Sequence, residues 1–219
     1  MPNSLRSFVA VSISILLTAP VSLAFTTPLS DEAIREAYFL GQRRDETMAS
    51  FLERYKQHLP APEIGPHIAS VEFLTPFAQL VLRSKDRSVG YSAQQAALDH
   101  RGEEEVVAVK IELAFTASYG ALIQKPTNDS SRSPIGFEFR ASDFWRDIDV
   151  QVMDKDRILK PAKFRGEPVY FCGDGCVLAG ATLRLEFPAR FFDSDSVSVH
   201  VVPPEGPDVR VDFDLVALR

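Results

Sequence analysis

The sequence predicts an α+β fold: a small N-terminal helical region followed by an antiparallel immunoglobulin-like β-sandwich. Three observations predict it. Apolar residues recur at helical spacing between residues 29 and 102, and from Val106 they switch to every second position. No linker between the alternating segments has the length of a parallel crossover helix. Composition agrees, since 219 residues that are 45% apolar, with 16 Phe, suffice to fill a core.

The helical region opens at Ser30, a capping residue followed by Asp31 and Glu32, which suit the positive end of a helix dipole. Ala33, Ile34, Ala37 and Tyr38 fall on one face, and Gly41 is read as the stop. A second helix is expected over Glu46 to His58, with Met48, Phe51, Leu52, Tyr55 and Leu59 as its stripe; Pro60 to Pro66 ends it. Thr75-Pro76 starts a third, with Phe77, Leu80 and Val81 at i, i+3, i+4. Ser92 and Gln95 form a capping-box pattern for a fourth, closed by Gly102.

Glu103-Glu104-Glu105 is read as a solvated charge run that marks the boundary between a region 25–102 and a sandwich domain 103–219. Beyond it, Val107, Val109, Ile111, Leu113 and Phe115 point one way and Lys110 and Glu112 the other. Phe137 and Phe139 alternate with Glu138 and Arg140, and Ile148, Val150 and Val152 with Asp147, Asp149 and Gln151. The same pattern holds over Leu183–Phe187, Val197–Val201 and Val209–Leu215. Stacking two antiparallel sheets buries all these one-sided strands. Residues 158–170 add edge strands, because Pro161 and Pro168 exclude a central position. Pro203 to Pro207 turns the last hairpin.

Residues 1–24 read as a secretory signal peptide. Arg6 precedes an apolar run, Phe8 to Leu17, too short to span a bilayer, and Ser22 and Ala24 place cleavage between Ala24 and Phe25. No later stretch is long and apolar enough to span, so the expectation is an exported chain, periplasmic or secreted, with no transmembrane segment once the signal is removed. Lys+Arg of 24 against Asp+Glu of 30, with no basic block, argues against a nucleic-acid partner.

Cys172 and Cys176 flank Gly173-Asp174-Gly175, a hairpin-tip sequence. In an oxidising compartment the pair is read as a disulfide across that tip. A thioredoxin-type redox pair would have two intervening residues at a helix start, and a zinc site would need two more ligands in range.

No catalytic constellation stands out. His58, His67, His100 and His200 share no helical i, i+4 face, and there is no G-x-S-x-G elbow, phosphate-cradling loop or dinucleotide fingerprint. No cofactor is expected. The stretch from Ile148 to Arg157 resembles the calcium-binding loop of C2 domains, in which a strand ends in D-x-D and the carboxylates share a cation. That resemblance implies Asp154 and Asp156 as ligands. The chain departs from the pattern at Arg157, Lys160 and Lys163, where the family would place another acid, and only Asp129 is available upstream. A polar β-turn is the preferred reading of Met153–Arg157, as turn chemistry is for the other acidic stretch, Asp193-Ser194-Asp195. Asn128-Asp129-Ser130 has the form of a glycosylation sequon. Phe144-Trp145 and Phe191-Phe192 offer either an exposed aromatic patch or core.

The function expected is that of an exported, non-catalytic interaction or structural module with a protein or envelope partner. Two alternatives stand beside it: a calcium-dependent binding module at Asp154 and Asp156, and a hydrolase with its site where helices meet sandwich.

Overall fold

The computed structural model describes residues 25–87, 90–126 and 135–219. The expected signal peptide with Ala24, and the Asn128-Asp129-Ser130 sequon, lie outside the described residues. In chain order the elements are α1 (Asp31–Gln42), α2 (Glu46–Glu53), β1 (Lys56–His58), β2 (His67–Leu74), α3 (Pro76–Asp86), α4 (Ala93–His100), β3 (Val106–Ala114), β4 (Leu122–Pro126), β5 (Ile135–Phe139), β6 (Asp149–Asp154), β7 (Arg157–Leu159), β8 (Lys163–Cys172), β9 (Cys176–Pro188), β10 (Ser196–Val202) and β11 (Val209–Asp214). The chain is therefore α+β, with all strand pairs antiparallel.

The strands form a five-stranded sheet in the order β1-β2-β3-β9-β8, a four-stranded sheet β11-β10-β6-β7, and a two-stranded ribbon β4-β5. Register explains the core. Val71, Ile111 and Leu183 lie opposite one another across β2, β3 and β9, as do Phe73, Val109 and Leu185, and every one is buried. From the other sheet come Val152, Val197, Val199, Val201, Val211 and Phe213. The rings of Phe73 and Phe213 sit 5.6 Å apart, and Phe192 meets Phe73 at 5.3 Å and Phe187 at 6.0 Å. The helices join the same core through Ile34, Ala37, Phe51, Phe77 and Val81. Each buried Val, Leu, Ile or Phe among them adds about 1.5–3 kcal/mol relative to leaving it in water.

The outward face of the five-stranded sheet is held by ion pairs. Lys56 meets Glu72 at 3.1 Å and Glu112 at 3.0 Å, and Lys110 meets Glu112 at 2.8 Å. Ser70 donates to Glu112 at 2.8 Å. Burial raises the Glu112 pKa, but Lys110, Lys56 and Ser70 outweigh it and hold it at about 2.

Helix caps match the sequence: Ser30, Thr75 and Ser92 each accept a backbone N–H from the first turn. Other expectations need correction. Region 25–102 is not wholly helical, because β1 and β2 lie within it. A bulge between Ile68 and Ser70 shifts the alternation of β2, which hides its period of two. The second helix ends at Glu53 rather than His58: Tyr55 O accepts from Phe73 N at 2.9 Å, and Lys56–His58 pair with β2. Sheet pairing there overrides helical spacing. Gly41 is not a stop but a crossing point inside α1, where an added Cβ would lie 2.3 Å from Val81 O of α3. Glu105 is not solvated, its side chain being only 8% exposed. Phe137 and Phe139 do not face the core.

Candidate functional site

Two hairpins project from the sheets at one end of the molecule. The β4-β5 ribbon is rooted in the loop after β3. Phe115, Tyr119 and Phe144 pack there, with ring centroids 5.0 to 6.2 Å apart. The Arg140 guanidinium lies 3.5 Å over the Tyr119 ring, and its Nε donates to Gly120 O at 2.9 Å. This anchor fixes where the ribbon leaves the body. Within the ribbon Leu122 lies opposite Phe139 and Gln124 opposite Phe137, so these four share a face. That face meets water: Phe139 is 77% exposed and Phe137 66%.

The β8-β9 hairpin supplies the other wall. Val169 lies opposite Gly180 and Phe171 opposite Val177, with Phe171 75% exposed. Cys172 and Cys176 close the tip as a disulfide, S–S 2.02 Å, around Gly173-Asp174-Gly175. Lower down, the hairpin is held to the body because Trp145 packs on Gly166. A Cβ at Gly166 would lie 2.2 Å from the indole, which then meets Phe164 edge-on at 5.6 Å. Between the two hairpins is an open cleft of about 750 Å³, with Leu122, Ile123, Phe139 and Val177 among its walls and Arg140 and Glu205 as its charged members.

Leu122, Phe137, Phe139, Val169, Phe171 and Val177 together leave roughly 700 Å² of apolar surface in water, taking 150–250 Å² per whole aromatic side chain. Monomeric proteins rarely show a largest patch above about 600 Å², and larger ones mark interaction sites.

The aromatic residues singled out in the sequence lie elsewhere. Phe144 and Phe192 are core, while Trp145 and Phe191 are partly buried against it. Phe137 and Phe139 were missed because their alternation, read as one buried face, belongs to a ribbon in neither large sheet. One signal was available: Phe171 stands directly beside a Gly-Asp-Gly tip, where an inward-facing aromatic has little to pack on.

The two acidic stretches meet in space, around an arginine. Asp154, with its side chain 1% exposed, accepts from Ser194 Oγ, from Arg157 at 2.9 Å and from Asp193 N at 3.4 Å. Burial raises its pKa, and the donors from Ser194, Arg157 and Asp193 lower it further than burial lifts it. Asp193 lies 3.7 Å from the same guanidinium. Asp156 is exposed in the β6-β7 turn, and Lys163 pairs with Glu186 at 3.3 Å. Among the described residues no group of three or more His, Cys, Asp or Glu is placed to hold a metal ion.

A polar recess of about 350 Å³ does lie where helices meet sheet, with Thr27, Leu29, His100, Glu105 and Arg190 in its wall. Glu105 is fully engaged there. It accepts from Thr27 Oγ1 at 2.5 Å and Leu29 N at 2.6 Å, and its Oε1 lies 2.7 Å from His100 Nε2. These donors hold its pKa below the ordinary range although burial pushes it up. The carboxylate thus ties residues 27–29 to α4 and the start of β3. His67 Nε2 contacts Leu59 O at 2.8 Å, and His58 and His200 sit against Glu53 and Asp208.

No family model matches the chain, and no curated protein matches it. The chain carries an intramolecular disulfide, and no helix among the described residues is long and apolar enough to cross a membrane.

Proposed function

We propose that the chain is an exported, non-catalytic interaction module that binds protein through the apolar end formed by its two hairpins. The observation that supports this is the exposure of Phe137, Phe139 and Phe171, the three most exposed aromatic rings among the described residues, on elements anchored by Arg140 and Trp145. An aromatic-rich, charge-poor centre with a polar rim is the composition of a protein interface. A bilayer is a poorer fit, because Asp174 occupies the hairpin tip, Glu205 lines the cleft and the chain carries a net charge of −6. Export is supported by the leader-like sequence of residues 1–24 and by the disulfide. The immunoglobulin-like sandwich remains our reading of the body that carries the hairpins: two antiparallel sheets whose apolar faces share one core.

Photo-crosslinking tests the proposal. A photoreactive residue is placed at Phe139 or Phe171 in the exporting cell, with Leu98 on α4 and Val216 after β11, exposed elsewhere, as comparison positions. A discrete protein adduct from the hairpin positions alone is expected. Adducts from none of the four, or flotation of the purified chain with phosphatidylcholine vesicles, would overturn the reading.

A further inference from the structure

We infer that the occupant of the apolar end is a second copy of this chain, in an isologous two-fold contact; this rests on reading that end as a protein-binding surface. Three features argue for self-association. The first is size. Roughly 700 Å² of exposed apolar surface approaches the ~800 Å² per partner of a standard stable interface.

The second is shape. A two-fold contact requires one surface to carry both a projection and the recess that receives it. Phe171 at the hairpin tip is the projection, and the cleft of about 750 Å³ walled by Leu122, Ile123, Phe139 and Val177 is the recess. A two-fold axis between the hairpins sets each copy's Phe171 against the other's cleft.

The third is charge. Two chains of net charge −6 repel over most of their surfaces. The cleft walls carry Arg140 and Glu205, and Asp174 at the tip adds an acid, so the Arg140 of each copy has an opposite charge available to it on the other across the axis.

Light scattering after size exclusion, on the full chain expressed for export, reads the outcome. The mass is measured between about 1 and about 100 µM, where an interface of this size with modest affinity assembles. A twofold rise in mass is expected for the unaltered chain. Phe139→Ser with Phe171→Ser should hold single-chain mass throughout with an unchanged melting temperature, since both side chains are already in water. Leu98→Ser, on α4, should dimerise like the unaltered chain. Single-chain mass for the unaltered protein at every concentration overturns the inference. If the Phe139 and Phe171 crosslinks then still capture a protein, the binding surface stands and only self-association fails. A dimer indifferent to the double substitution places the contact elsewhere and also overturns it.

Discussion

Glu105 gathers Thr27, Leu29 N and His100 around one carboxylate, and so joins the segment before α1 to the last turn of α4. Replacing it with Gln should cost about 1–3 kcal/mol, the usual penalty for weakening charge-assisted bonds at a nearly buried group, read as a lower urea midpoint. Glu112 is the better pH probe. Its pKa falls to about 2 in the folded chain, against about 4.3 for an unperturbed glutamate, so the folded form binds that proton more weakly. The stability it contributes is present above about pH 4.3 and is lost as pH falls through about 2. Glu112→Gln should therefore melt below the unaltered protein at pH 7 and converge with it near pH 2. Glu105 follows the same sign, with its contribution lost on acidification. At this scale the sequence was partly readable. Caps are local, so Ser30, Thr75 and Ser92 announced themselves; the partners of Glu105 lie up to 78 residues away, and a Glu-Glu-Glu run looks solvated until they arrive.

Among elements, those whose apolar periodicity is unbroken were legible: β3, β9, β10 and β11 lie where alternation placed them. β2 was hidden by its bulge, and β1 is too short to show a period. The ribbon β4-β5 has an alternating apolar face that nothing among the described residues covers, and a hydrophobic pattern cannot say whether its partner is internal. Two substitutions test what holds the elements. Gly41→Ala drives a methyl into Val81 O and Ser84, so α1 and α3 must separate, at a cost of about 1–3 kcal/mol in denaturation. Cys172→Ser with Cys176→Ser opens a very short loop and should cost about 2 kcal/mol in the chain-entropy picture, measured as a reduced melting temperature. A melting temperature unmoved by either change would refute the corresponding contact.

The whole molecule shares one buried cluster that runs from Phe25 through the helices to Leu218. Unfolding should accordingly be a single step. Far-ultraviolet circular dichroism, weighted to the helices, and Trp145 fluorescence, reporting on the base of the β8-β9 hairpin, should trace the same curve in urea. Separated midpoints would instead make the helical part a unit of its own. Residue 219 has a consequence for how the chain folds. Its backbone bonds Tyr55 and Thr75, its guanidinium reaches Glu36 of α1, and it stacks over Phe77 of α3. The layer of α1 and α3, built from the N-terminal part of the sequence, therefore gains its clasp only when the segment after β11 folds back onto it.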